Sequence, residues 1–174
     1  MSDFRIISLF PGSSDILLDL NLKKQLVAVS HECLDNNYYN DLPKVTSTCI
    51  KTNVSQSEID SQVRDKLKKN EPIYQIDVNL IEKLKPTHIL TQDVCDVCAV
   101  SSNTIEVTLK DTRCELSNDI EIISLNSKTF NGICNDVLLV GKIFDKKNEA
   151  NEMVYLAKKK WNSLKKSKNH KKLL

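Results

Sequence analysis

Glycine occurs only three times in 174 residues, and aromatic side chains make up only 5% of the chain. No Gly-x-Gly-x-x-Gly or Gly-Lys-Ser/Thr run is present, which excludes the usual glycine-rich cradles for dinucleotides and nucleoside triphosphates. No stretch approaches the roughly 18 consecutive apolar residues that a membrane-crossing helix requires. Asp3 and Arg5 interrupt the apolarity of the first ten residues and Pro11 ends it, so no basic region followed by a long apolar stretch marks an export signal. The expectation from this start is a cytoplasmic protein with its six cysteines reduced. Neither a nucleophile-elbow sequence nor an evident pair of carboxylates appears, and the chain is expected not to be an enzyme.

Charge excludes little more. Twenty-five Lys and Arg against 23 Asp and Glu leave a net +2, too small to imply a nucleic acid or a membrane surface. The lysines are uneven, with Lys158, Lys159, Lys160, Lys165, Lys166, Lys168, Lys171 and Lys172 crowding the end. Only Trp161 stands among them, and a solvated helix face accounts for such a pattern better than a nucleic-acid surface.

Forty per cent hydrophobic residues suffice for one buried core, and their order suggests which kind. Arg5 to Phe10 reads as a strand closed by Pro11-Gly12, with Ser13, Ser14 and Asp15 offering caps to a helix carrying Ile16, Leu17 and Leu20. Leu26 to Ser30 is a second strand, followed by an irregular polar stretch from His31 to Asp41 and a short edge segment at Leu42 to Thr46. A helix opens at Ser57, its stripe formed by Ile59, Val63 and Leu67. Ile73 to Ile76 is a short strand, Asp77 caps a helix that Pro86 ends, and His88 to Thr91 is a buried strand. Thr104 to Leu109 fits either a strand or a short helix. Ile120 to Leu125 is a strand, Ser127 to Phe144 a helix, and Lys146 to Lys166 a second long helix. Strands alternating with helices in this way predict an α/β fold, a mostly parallel sheet with helices on both faces.

Several residues carry possible chemistry. Cys95 and Cys98 form a Cys-x-x-Cys pair in a loop directly after a strand, open to three readings: a redox dithiol, two ligands of a metal, or ordinary loop residues. Asp93 and Asp96 flank the pair and disfavour thiolates by like charge. A metal site, zinc or iron, would be completed by His31 and Cys33 from the loop after the second strand. Pro11, Gly12, Ser13 and Ser14 stand at a strand-to-helix turn, where amides and hydroxyls can face an anion or simply cap the helix. Cys49 and Cys114 have no comparable partners, Cys134 reads as a small buried hydrophobe, His88 as a satisfied core histidine and His170 as solvated.

The run Arg5-Ile-Ile-Ser-Leu-Phe-Pro-Gly-Ser-Ser-Asp-Ile-Leu-Leu, followed by Leu26-Val-Ala-Val-Ser, is similar to the start of class III periplasmic-binding proteins for vitamin B12 and ferric siderophores. Val78 to Thr91 resembles that family's segment of helix, Leu-Lys-Pro and strand, and the helix Lys146 to Lys166 looks like its rigid interlobe helix. His31-Glu32-Cys33 and Thr91-Gln-Asp-Val-Cys-Asp-Val-Cys-Ala-Val-Ser101 resemble motifs of a cytoplasmic-looking, cobalamin-binding-like branch, although the chain departs from it at Leu34-Asp35-Asn36. The resemblance implies an amino-terminal lobe at residues 1–145, a backbone helix at 146–168, and at 169–174 the truncated start of a missing second lobe. It also implies a non-enzymatic module that binds cobalamin or another metal chelate. Pro11, Gly12, Ser13, Ser14, His31, Glu32, Gln92 and Asp93 would touch the small-molecule ligand, with His31 also placed to contact a corrinoid or haem metal. A second lobe or a homodimer partner would cover the cleft face, with no nucleic acid and no membrane insertion.

Overall fold

In the computed structural model, residues 4–34, 37–69, 71–93, 100–111 and 119–168 are described. Two adjacent isoleucines show how the sheet is built. Ile6 and Ile7 in β1 (Ile6–Ser8) point to opposite faces, and both are completely buried. A strand hidden on both sides belongs inside a parallel sheet, and β1 pairs in parallel with β2 (Leu26–Val29) on one side and β5 (His88–Thr91) on the other. Strand β6 (Glu121–Ser124) pairs in parallel with β5 and completes the order β2-β1-β5-β6.

The two faces define two apolar layers. Ile6, Leu90 and Ile123 face helices α1 (Pro11–Asp19), α6 (Phe130–Ile143) and α7 (Lys147–Lys168), where Leu17, Val137, Val140, Phe144, Ala150 and Val154 meet them. Ile7, Ala28 and Ile89 face α4 (Val78–Leu84) and α5 (Ser102–Asp111), with Ile81, Ile105 and Leu109 beneath. The expected α/β architecture with helices on both faces is present, as one lobe followed by a long helix.

Local detail departs from the sequence reading in four places. The open choice at Thr104 to Leu109 resolves to helix α5: Ile105 and Leu109, four residues apart, are buried, whereas Val107, which a strand would place on their face, is 46% exposed. Within the stretch expected to be irregular, α2 (Asn37–Asn40) forms one turn, pinned by buried Tyr39, whose hydroxyl donates to Asp15 Oδ1 at 2.7 Å. Helix α3 (Gln56–Lys68) starts earlier than Ser57, because Ser55 and Glu58 form a reciprocal capping box. The edge segment lies later than expected: Pro43 and Val45 each make one backbone hydrogen bond to Val29, and the regular strand is β3 (Thr46–Thr48), antiparallel to β4 (Tyr74–Ile76).

Helices α6 and α7 form a tight antiparallel hairpin. Asp145 turns the chain at φ 56°, and Lys146 N–H donates to Gly141 O at 2.7 Å. Gly141 is required by proximity: a Cβ there would lie 2.3 Å from Ala150 Cβ and 2.9 Å from the Lys146 carbonyl oxygen. At the other end of the hairpin Phe130 and Trp161 stack at 4.5 Å, their planes 7° apart. The basic lysines 158 to 160 are exposed on α7, while residues 169–174, read as the start of another lobe, lie outside the described residues.

Candidate ligand-binding site

From β1 the chain passes to β2 on one side and then returns to β5 on the other side of β1. Connections that leave in opposite directions open a crevice at the carboxyl ends of those two strands, where sheets of this kind present ligands. Residues following β1, β2, β5 and β6 therefore form the candidate edge: Phe10 to Gly12, Ser30 to Cys33, Gln92 with Asp93, and Leu125 to Ser127.

After β1, the helix begins at Pro11, which needs no amide partner in the first turn and has its φ already set. This moves Ser13 and Ser14 inward from their expected place. Both are 0% exposed; Ser13 Oγ donates to the Phe10 carbonyl at 3.0 Å, and Ser14 Oγ bonds Ser8 Oγ at 2.7 Å. Their hydroxyls thus lie in a polar pocket beneath α1, and Phe10 rather than either serine is the residue at the helix cap. Pro11 is half-buried, and Gly12 is exposed on the edge.

After β2, three consecutive side chains diverge. His31 is half-buried, its Nδ1 2.8 Å from Thr46 Oγ1 and its ring 5.5 Å from that of Tyr74. Burial, aided by Lys44 and opposed by Glu32, holds its pKa below the ordinary histidine value, so the ring is neutral at neutral pH. Glu32 is exposed and accepts from the Tyr74 hydroxyl at 3.1 Å. Cys33 turns the other way: 1% exposed, it lies with Sγ 3.3 Å from Ser14 Oγ, and burial raises its thiol pKa against that hydrogen bond. Lys44 closes the loop by donating to the carbonyls of Cys33 at 3.0 Å and Tyr39 at 2.8 Å.

The proposed metal set is therefore not assembled by this loop. His31 faces Thr46 and Tyr74 while Cys33 packs under α1, because the chain turns after β2, closed by the Cys33 N–H donating to the Ser30 carbonyl at 3.1 Å. Among the described residues no group of three His, Cys, Asp or Glu side chains is placed to hold a metal ion. Cys95 and Cys98 lie outside the described residues, as does Cys114. His88 is the satisfied histidine that the sequence suggests, boxed by Phe4, Phe144, Thr87 Oγ1 and Glu121, and Cys134 is buried.

After β5, Gln92 is half-buried at the edge, and Asp93 takes hydrogen bonds from Ser102 and Ser124. Thr46, Tyr74 and Asn126 were not singled out from sequence. Thr46 reaches His31 because Pro43 and Val45 bond to Val29, and Tyr74 joins them through the β3–β4 pairing, for which spacing along the chain gives no signal. Leu9, Ser30, His31, Glu32, Thr46, Tyr74 and Val100 line a shallow crease too narrow to hold a water molecule.

The sequence profile of the family described as periplasmic binding protein matches residues 6–172. This chain belongs to that family. No curated protein matches it. Among solved structures it is similar to the periplasmic heme-binding protein HutB of Vibrio cholerae (TM-score 0.64, 19% identity, 94% of this chain and 50% of that one). It is also similar to the periplasmic vitamin B12-binding protein BtuF of Vibrio cholerae (0.64, 16%, 94% and 50%) and to Staphylococcus aureus IsdE complexed with heme (0.60, 17%, 98% and 51%). At these identities the likeness establishes the fold, and the chain spans about half the length of the structures it matches. Members of the family are solute-binding proteins rather than enzymes. The expectation of a cytoplasmic location is overturned, since the family is described as periplasmic and so are matched structures such as HutB and BtuF.

Proposed function

We propose that this lobe is one wall of a non-catalytic binding module for a metal chelate, a corrinoid or a haem, of the kind that substrate-binding proteins deliver to ABC transporters. The observation that carries the reading is the reversal of strand order at β1, with β2 on one side and β5 on the other. It places Pro11, Gly12, His31, Glu32 and Gln92 along one carboxyl edge, in a chain whose family binds solutes. HutB and IsdE with heme, and BtuF with vitamin B12, supply the ligand class by analogy. From this side the ligand meets Pro11, Gly12 and the neutral amide of Gln92 beside the carboxylate of Glu32, with neutral His31 available to a metal or an amide. The half of each relative that this chain does not span supplies the opposite wall, whether on the same polypeptide or another.

Titration with cyanocobalamin and with hemin, followed by visible absorbance and thermal unfolding, tests the proposal. A ligand at one hundred times its Kd adds about 2.7 kcal/mol, which raises the melting temperature of a chain this size by roughly 5–10 °C. Saturable binding that His31→Ala weakens supports the reading; no spectral change and no thermal shift with either ligand overturns it.

A further inference from the structure

Asp93 is expected among the ligand contacts, yet its carboxylate faces the protein. Oδ1 accepts from the Ser102 N–H at 2.7 Å, and Oδ2 accepts from the hydroxyls of Ser102 at 2.8 Å and Ser124 at 2.6 Å. The Asp93 N–H in turn donates to Asn126 Oδ1 at 2.7 Å. One residue thus joins the end of β5, the first turn of α5 and the end of β6. A second closure lies deeper: the Thr91 hydroxyl, 1% exposed, donates to the carbonyl of Val100. Ser101 completes the joint by accepting from Thr104 N–H as the α5 cap.

We propose that Asp93 is a positioning residue, which ties Gln92-Asp93 at the end of β5, the start of α5 and Asn126 after β6 into a single wall of the ligand edge without itself touching the ligand. The inference rests on the binding role proposed above and adds how one side of the site is held in shape.

Three features support it. Both carboxylate oxygens are engaged by donors on α5 and β6, so a ligand would have to displace one of them. Burial pushes the Asp93 carboxyl pKa up, but the hydrogen bonds from Ser124 and Ser102 outweigh it and hold the group ionised below the usual carboxylate range. These bonds also lie at the rim, above a core that is complete without them: β5 and β6 are already in register from His88↔Glu121 to Thr91↔Ser124, over buried Ile89, Leu90 and Ile123. The clamp therefore contributes shape at the edge more than stability to the fold. A wall ordered before binding removes an entropy cost that the ligand would otherwise meet.

The test compares Asp93→Asn with Asp93→Ala in the full chain. Asparagine keeps the clamp: its amide oxygen accepts from Ser102 N–H, its amide nitrogen donates to Ser124 Oγ, and the Ser124 hydroxyl turns to Asn126 Oδ1, 2.8 Å away. Alanine removes it. Hydrogen exchange without ligand is expected to accelerate at positions 93 and 102–104 in the alanine variant only. Affinity for whichever of cyanocobalamin and hemin the unaltered chain binds should fall about tenfold in the alanine variant, and stay within about twofold in the asparagine variant, at little change in melting temperature. Equal loss in both variants would make Asp93 a direct charged contact and overturn the proposal. So would unchanged exchange in the alanine variant, or a lower melting temperature with unchanged affinity. Should the unaltered chain bind neither probe, the binding role falls and the positioning role with it, even if the exchange data show the clamp.

Discussion

Replacing Gly141 by alanine adds one methyl group where α6 passes closest to α7. In an exposed helix interior that change is favourable by about 1 kcal/mol, because alanine gives up less backbone freedom than glycine. Here the new carbon would lie 2.3 Å from Ala150 Cβ and 2.9 Å from the backbone oxygen of Lys146. Carbon atoms sit comfortably at about 3.5 Å or more, so the helices must separate locally by roughly 1.2 Å. Neither obstacle can rotate away, since one is a Cβ and the other is main chain. Separation also loosens the contacts of Val137, Val140 and Val154, all buried at this interface. Overpacking of a tight core costs about 1–3 kcal/mol, and the larger part of that range applies where backbone must move. The expected net effect of Gly141→Ala is a loss of about 2 kcal/mol, seen as a fall in melting temperature of roughly 4–8 °C. Gly141→Ser should cost more. Denaturant unfolding followed by circular dichroism checks both, and an alanine variant equal to or more stable than the unaltered chain refutes the close-approach argument.

Other consequences can be measured with little further work. His31 and His88 are both held below the ordinary histidine pKa, chiefly by burial, so the unfolded chain takes up more protons as the pH drops past about 6.5. Their contribution to stability is present above that pH and is lost as the pH falls through their lower folded values; a melting temperature that does not decline between pH 7.5 and 5.5 would contradict this. Glu121→Gln removes the charge that partly counters burial at His88 and should push that histidine's pKa lower still, as NMR titration would reveal. Ser55→Ala breaks the capping box of α3 and should cost about 1 kcal/mol, with faster hydrogen exchange in the first turn. Cys33, buried with a raised thiol pKa, should resist iodoacetamide in the native chain and react after denaturation, with site-specific mass spectrometry as the readout.

The sequence made the strands of the sheet legible because they are short β-branched runs between clear stop signals, such as Pro86 before His88 to Thr91. The periodicity of α6 was equally direct, since Val137, Val140 and Phe144 mark its buried side. The stretch at Thr104 to Leu109 was ambiguous for a physical reason: residues 105, 107 and 109 are apolar, so alternation and helical spacing both fit until burial separates Val107 from the others. The site was harder to read than the fold. Ser13 and Ser14 have the composition of a cap or an anion cradle, but Pro11 begins the helix earlier and rotates both hydroxyls beneath it. His31 and Cys33 are two residues apart in a loop, and only the path of that loop shows that they serve different neighbours. Tyr74, forty-three positions from His31, joins it through a strand pairing that no local pattern encodes.

The stacking of Trp161 on Phe130 gives the molecule a reporter of its own. It is the sole tryptophan in the sequence, and its ring rests against the first residue of α6, the helix entered directly from the loop after β6. Its emission therefore originates at the joint between long helix and lobe, at the end of the sheet where β6 leads into α6. Haem and corrinoids absorb where indole emits, so a bound chelate would dim this fluorescence by energy transfer, with no label attached. A change in the joint itself would instead shift the colour of the emission. Quenching and spectral shift in a single titration would thus separate occupancy of the edge from movement of the helix.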